Sequence, residues 1–351
     1  MRFATVEEPD GTIRCGVVDG DTLWRLPAGT TLLDLLRTGT LTASRADAND
    51  PVPLAGRRLL PPVEAPTVRD FVAFEEHVEG IAGTVDEAWY AAPTFYFTNP
   101  YALVGAHDDV AVPPGCTRLD FELEVAAVIG TAGSDLTPEQ ARDHIAGYTI
   151  LNDWSARDLQ FREMAVRLGP CKGKDFATTL GPVLVTADEL EPYRDPDGFL
   201  ALGMTVAVNG AEIGRDLLSN MAWPFEDLVA YASRGTAVRP GDVLGSGTCG
   251  NGGCLAELWG RGRDDLPPLR PGDVVEMTVE GLGTIRNTVV AGPDPHPIRP
   301  ARPRPRTRPA VPPMRSHEPT TRPDRHAGGA CGIPAESFLP RQNRHRQEYG
   351  D

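Results

Sequence analysis

Along residues 1–26, apolar and polar positions exchange every one or two residues. RFATVE, IRCGVV and TLWRL are short, rich in β-branched and aromatic residues, and separated by PDGT and DGD. This pattern predicts three strands joined by tight turns, a small antiparallel meander. TLLDLLRTG then places leucines at helical spacing and predicts a short helix stopped at Gly39. The stretch ADANDPVPLAGRRLLPPVEAP is a Pro-rich connection, and a boundary is placed near residue 62. Beyond it, strand-like runs dominate: ALVGA, FELEVAAVIG, GYTILND, GPVLVT, MTVAVNG, DVVEMTVEG and GTIRNTVVAG. The clearest helix starts at TPEQ, with Thr137 as cap, Pro138 in the first turn, Gln140 completing a capping box and Gly147 closing it. Strand and helix do not alternate as in βαβ units. The expectation is an α+β fold, predominantly β, with a small N-terminal β domain at 1–62 and a larger domain at 63–292.

Residues 293–351 break this pattern. ARPRPRTRPAVPP and the residues after it are rich in Pro and Arg without apolar periodicity, and the expectation is a disordered tail. The net charge is −15, but residues 301–351 hold 10 Arg against five acids, which leaves −20 on residues 1–300. So acidic a body argues against binding a phosphate backbone, and no nucleic-acid partner is expected. No apolar run approaches the roughly 20 residues that span a bilayer, so no membrane partner is expected either. MRFATVEEPDG carries no apolar signal core, and the six cysteines are scattered without metal-ligand spacing. Free thiols and a cytoplasmic location are the expectation.

Candidate chemistry concentrates in three stretches. In LDFELEVAAVIG, strand alternation puts Glu122 and Glu124 on one face and Phe121, Leu123 and Val125 on the other. The strand continues apolar on both faces, so these carboxylates stand next to a buried end and need a partner. YTILND then delivers Asp153 at a strand end, with a helix expected from about Trp154. Three carboxylates without His or Cys favour a hard cation: Mg²⁺, Mn²⁺ or Ca²⁺. Arg157 and Gln160 follow on the same helical face. Finally, of 34 basic residues only Lys172 and Lys174 are lysine, two residues apart in CKGKDFATTLGP. A compact ammonium whose pKa can shift does chemistry that guanidinium cannot.

Taken in order and spacing, LDFELEVAAVIG, GYTILNDWSARDLQ and LGPCKGKDFATTLGPVLVT resemble the fumarylacetoacetate hydrolase family. RDFVAFEEH upstream and GSGTCGNGGCLAEL downstream fit as well. The resemblance covers about residues 66–292. It implies a mixed β-sandwich roll, a homodimer, and activity on 2-oxo or β-diketo acids with a divalent metal. By the resemblance, Glu122, Glu124 and Asp153 match metal ligands, and Asp70 matches a fourth carboxylate. Lys174 matches the active-site lysine and Thr178 a threonine beside it. His77 matches the general base, and Arg157, Gln160 and Thr248 match substrate-contacting residues. Glu257 is the match preferred for the carboxylate that orients the histidine, the alternative being the smaller members' position three after it, which is Gly80 here with Glu79 one step off. Three positions depart from the namesake. Val72 replaces a tyrosine, Asp86 replaces an arginine, and FREMAV lacks a tyrosine, which argues against fumarylacetoacetate itself as substrate.

The implied reaction is hydrolytic cleavage of a carbon–carbon bond in a small 2-oxo or β-diketo acid, with water activated at His77 and the enolate stabilised beside Lys174. Residues 77–93, with Gly80 and Gly83, are expected to form a lid. One rival keeps the site but makes the enzyme an isomerase, hydratase or decarboxylase. A second is a metal-dependent carboxylate-binding protein without turnover.

Overall fold

The computed structural model describes residues 1–304. Its largest sheet takes in every strand of the N-terminal meander. The main path runs from Asp50–Pro53 through Thr22–Arg25, Ile13–Asp19 and Arg2–Glu7 to Thr178–Thr186, Ile145–Asp153 and Leu123–Ile129. It ends with Val243–Gly245, Val68–Phe71 and Phe95–Thr98. Most neighbours are antiparallel, but Val243–Gly245 and Val68–Phe71 run parallel. A second sheet of five strands, Ala211–Leu217, Gly203–Val208, Val274–Val279, Gly283–Val290 and Val110–Ala111, supplies the other layer. Strand outweighs helix, and among the described residues no sheet closes into a barrel. The fold is α+β and predominantly β, as the alternation predicts. The division expected at residue 62 falls between two strands of this one sheet, Arg58–Leu60 and Val68–Phe71.

Strand Leu123–Ile129 shows why the site forms where it does. Its odd positions, Leu123, Val125, Ala127 and Ile129, enter the main core between the layers. Its even positions, Ala126 and Val128, enter a second core with Leu32, Leu33, Leu35 and Leu36 of the helix Leu32–Thr38. Period-two alternation carries the same even face back to Glu124 and Glu122, at the end where the second core gives out. Thr31 caps the N-terminus of Leu32–Thr38 and Gly39 closes it in the left-handed region, as its sequence predicts.

Two local expectations need correction. The capping box at Thr137 and Gln140 is present, but the helix is a single turn, Pro138–Ala141, continued by a 3₁₀ turn to His144. Gly147 therefore does not close a helix. It lies within strand Ile145–Asp153, where a Cβ would stand 2.2 Å from the Val185 carbonyl oxygen. A glycine demanded by close strand approach reads in sequence like one demanded by a helix end. Nor does a helix begin at Trp154. Ser155–Ala156 first pairs with Leu119–Asp120, and the helix runs Arg157–Ala165.

Residues 291–304 carry no helix or strand and are largely exposed. The rest of the expected tail, 305–351, lies outside the described residues.

Candidate active site

Three adjacent strands build the acidic cluster. In cross-strand register, Ala126 faces Gly245, Gly245 faces Asp70, and Asp70 faces Tyr96. A Cβ on Gly245 would lie 2.4 Å from Asp70 Oδ1 and 2.9 Å from Glu124 Oε2. The middle strand thus carries glycine where carboxylates from both neighbours converge. Asp153 closes its own strand opposite Thr178. Oxygens of Asp70, Glu122, Glu124 and Asp153 all come within 4.8 Å of one another, and all four side chains are buried.

Lys174 reaches into this group. Its ammonium, 3% exposed, hydrogen-bonds Glu122 Oε2 and Asp153 Oδ2. Burial opposes its charge, but Asp153 and Glu122 hold its proton on well above the usual lysine range. For Glu122 burial works against ionisation, yet Lys174 and Arg157 keep it well below the ordinary carboxylate range. Burial and Asp153 push Asp70 up, and burial and Asp70 push Glu124 up. Those two side chains are close enough to share a hydrogen bond, which two bare carboxylates cannot do. The pair requires a proton or a cation.

A divalent cation fits these residues. Asp70 Oδ1 and Asp153 Oδ1 are buried without any hydrogen-bond donor, as is the Thr178 hydroxyl. Buried polar atoms of this kind are rare unless something outside the chain satisfies them. The donor set is all oxygen, which suits Mg²⁺, Mn²⁺ or Ca²⁺.

A cavity of about 350 Å³ opens on the cluster, lined by Asp70, Glu122, Lys174, His77, Gln160 and Thr248 among others. His77 lies on the helix Glu75–Ala82 and is 6% exposed. Burial pulls its imidazole down to about 4, so it is neutral near pH 7. Thr248 directs its hydroxyl to Glu124 Oε1 at 3.4 Å.

Two expected roles find different partners. Arg157 is 1% exposed and lies between Asp120 and Glu122, at 2.8 Å from each, so its guanidinium serves carboxylates rather than the cavity. Gln160, which accepts a hydrogen bond from it, does line the cavity. Glu257 does not join His77. It accepts from Arg261 at 3.0 Å and from the Gly252 amide at 3.3 Å, and it packs on Gly80. His77 Nδ1 lies instead 3.8 Å from the Cys254 thiol, and a ring nitrogen, this thiol and a Glu122 oxygen all fall within 4.8 Å of one another. The expected lid segment, 77–93, is held at Gly80, which packs on Glu257, and at Trp89, whose Nε1 donates to the Val72 carbonyl, while most of residues 82–91 are exposed.

Sequence reasoning missed three residues here. Tyr96 donates its hydroxyl to Asp153 Oδ2 and lines the cavity. Asp120 binds Arg157 and the backbone amides of Leu255 and Ala256. Asp120 was legible, because D-x-E-x-E carries the same alternation two residues further back. Cys254, the third, caps the helix Leu255–Gly260 through the Glu257 amide.

Comparison with known proteins fits this geometry. The pattern of the fumarylacetoacetate hydrolase C-terminal domain matches residues 66–290. A mitochondrial oxaloacetate tautomerase of Xenopus laevis is 35% identical over 191 residues, 54% of this chain and 55% of that protein. A fumarylacetoacetase of Arabidopsis thaliana is 32% identical over 249 residues, 56% of this chain and 59% of the relative. The chain thus spans little more than half the length of these two relatives. Among solved structures, a fumarylacetoacetate hydrolase from the psychrophile Exiguobacterium antarcticum superposes with a TM-score of 0.69 at 28% identity, covering 83% of this chain and all of that one. With the matched domain spanning most of the described residues, the chain belongs to the fumarylacetoacetate hydrolase family.

Proposed function

We propose that this chain is a metal-dependent enzyme that hydrolyses a carbon–carbon bond in a small 2-oxo or β-diketo acid of the acylpyruvate type. The observation that carries this reading is the convergence of four buried carboxylates and one buried ammonium beside a cavity that Asp70, Glu122 and Lys174 line. A divalent cation held by Asp70, Glu122, Glu124 and Asp153 would supply Lewis acidity toward the substrate's carbonyl oxygens. Lys174 keeps a fixed positive charge beside the position where an oxygen gains negative charge, the kind of preorganised donor that stabilises an enolate. His77, neutral near pH 7, is able to accept a proton from water. Gln160 and Thr248 offer neutral hydrogen-bonding groups for orientation.

One observation favours a second reading. Among the described residues His77 hydrogen-bonds no carboxylate of the kind that orients and strengthens a water-activating imidazole, and the carboxylate beside it, Glu122 within 4.8 Å, already belongs to the acidic cluster. Enolisation of a 2-oxo acid, by contrast, needs no attacking water, and one relative bears the name oxaloacetate tautomerase. The test is a screen of acylpyruvates with Mg²⁺ or Mn²⁺, following loss of enol absorbance and the release of pyruvate. Pyruvate release supports hydrolysis. Absorbance change without products supports tautomerisation, and no metal-dependent change with any acid removes both readings.

A further inference from the structure

We infer that this site selects a mono-acid, a 2-oxo or β-diketo carboxylate whose far end is uncharged and apolar, and that it rejects a second carboxylate there. The inference rests on the reading above and deepens it. Its basis is an account of every cation at the cavity. Among the described residues, Lys174 is the only Lys or Arg in the lining, and its ammonium is held between Glu122 and Asp153. The Arg157 guanidinium is walled off behind Asp120, Glu122 and Gln160. His77 lines the cavity with an imidazole, which carries no permanent charge. Lys172, Arg162 and Arg167, the nearest cations along the same segment, are exposed and form no part of the lining, and Arg69, which stacks on Phe95, pairs with Asp242 and lies outside the lining too.

The rest of the wall offers no positive partner. Phe71, Val72, Phe95, Met164 and Pro170 give it an apolar surface, and Thr94 adds one neutral hydroxyl. A first carboxylate can be met by the cluster's cation and by neutral donors. A second would give up part of its water against that surface, close to four acidic side chains and, among the described residues of the lining, with no free Lys or Arg to pair. An unpaired ion in such a place costs far more than a methyl group of the same size. Apolar contact favours the neutral tail while missing charge disfavours the acidic one, so both act in one direction. Oxaloacetate, with a carboxylate at each end, is the kind of acid this wall disfavours.

The test compares two acids of equal length, 2-oxopentanoate and 2-oxoglutarate, which differ in a terminal methyl against a carboxylate. Calorimetric titration of the full chain loaded with Mn²⁺ gives both affinities without requiring turnover. The expected result is at least tenfold tighter binding of 2-oxopentanoate. Met164→Arg, on the exposed side of the mouth, should narrow that ratio at least fivefold by providing the missing cation. Equal or tighter binding of 2-oxoglutarate by the wild-type chain overturns the inference and leaves the metal site standing. An unchanged ratio in Met164→Arg also overturns it, because the wall would then not be what reads the tail. Failure of both acids to bind in the presence of Mn²⁺ removes the inference together with the reading beneath it.

Discussion

Asp70 and Glu124 meet across Gly245, two carboxylates from separate strands brought together over a residue without a side chain. Strand pairing fixes the two backbones, so the carboxylates cannot separate without distorting the sheet. Burial and the charge of Asp153 push Asp70 away from ionisation, and burial and the charge of Asp70 do the same to Glu124. The glycine is therefore part of the acidic cluster.

Gly245→Ala should test this directly. The added Cβ would fall 2.4 Å from Asp70 Oδ1, a separation that carbon and oxygen do not adopt. Mn²⁺ affinity, read by calorimetry, should fall at least tenfold, and the melting temperature should drop by several degrees. Wild-type affinity in this variant would show that Asp70 is not needed to hold the ion.

Glu124→Gln offers the complementary test. It keeps the shape and removes one of the crowded charges, so the metal-free protein should be as stable as wild type or more so. The gain in melting temperature on adding Mg²⁺ or Mn²⁺ should shrink, because the ligand set has lost an anion. Chelator should abolish turnover in the wild type, and either ion should restore it. Full turnover by a metal-stripped sample would rule the metal reading out.

Much of this was visible in the chain, and the hidden part has a common cause. Glu122 and Glu124 declare themselves because alternation along one strand is a local property. Tyr96 does not, since its place beside Asp153 depends on which strands become neighbours and in what register. Glu257 misleads the other way: it lies 180 positions from His77, while its partner Arg261 is four residues on at the end of the same helix, a local i,i+4 pair that the chain spells out. Gly147 misleads for a different reason. A lone glycine marks either a helix end or a tight strand approach, and the Val185 carbonyl settles which.

His77 gives a prediction about pH. Its pKa in the fold is about 4, below the 6.5 of a free imidazole. Above pH 6.5 both states are neutral, and the residue contributes nothing to the pH dependence. As pH falls from 6.5 to 4, the unfolded chain takes up a proton that the folded one refuses, so stability falls through that window. Asp70 and Glu124 are raised and titrate with the opposite sign, so the comparison must be between wild type and His77→Asn. Urea unfolding from pH 7 to 4 should show a steeper loss in the wild type. Parallel curves would mean that the imidazole is solvated and titrates normally.

The two lysines provide the sharpest contrast. Lys172 has a side chain 73% exposed and pairs with Asp175 on the surface. Lys174, two residues on, is buried against Glu122 and Asp153. Surface pairs of the first kind contribute little, whereas a buried ammonium shared by two carboxylates cannot be replaced by a wide planar guanidinium without moving them. Lys172→Arg should leave turnover near wild type. Lys174→Arg should lower it by at least about a hundredfold, the scale of removing one preorganised donor. Circular dichroism and Mn²⁺ binding on the same sample separate lost chemistry from lost structure. If Lys174→Arg retains its turnover, the ammonium serves only to balance charge, and the role of stabilising an enolate passes to another group.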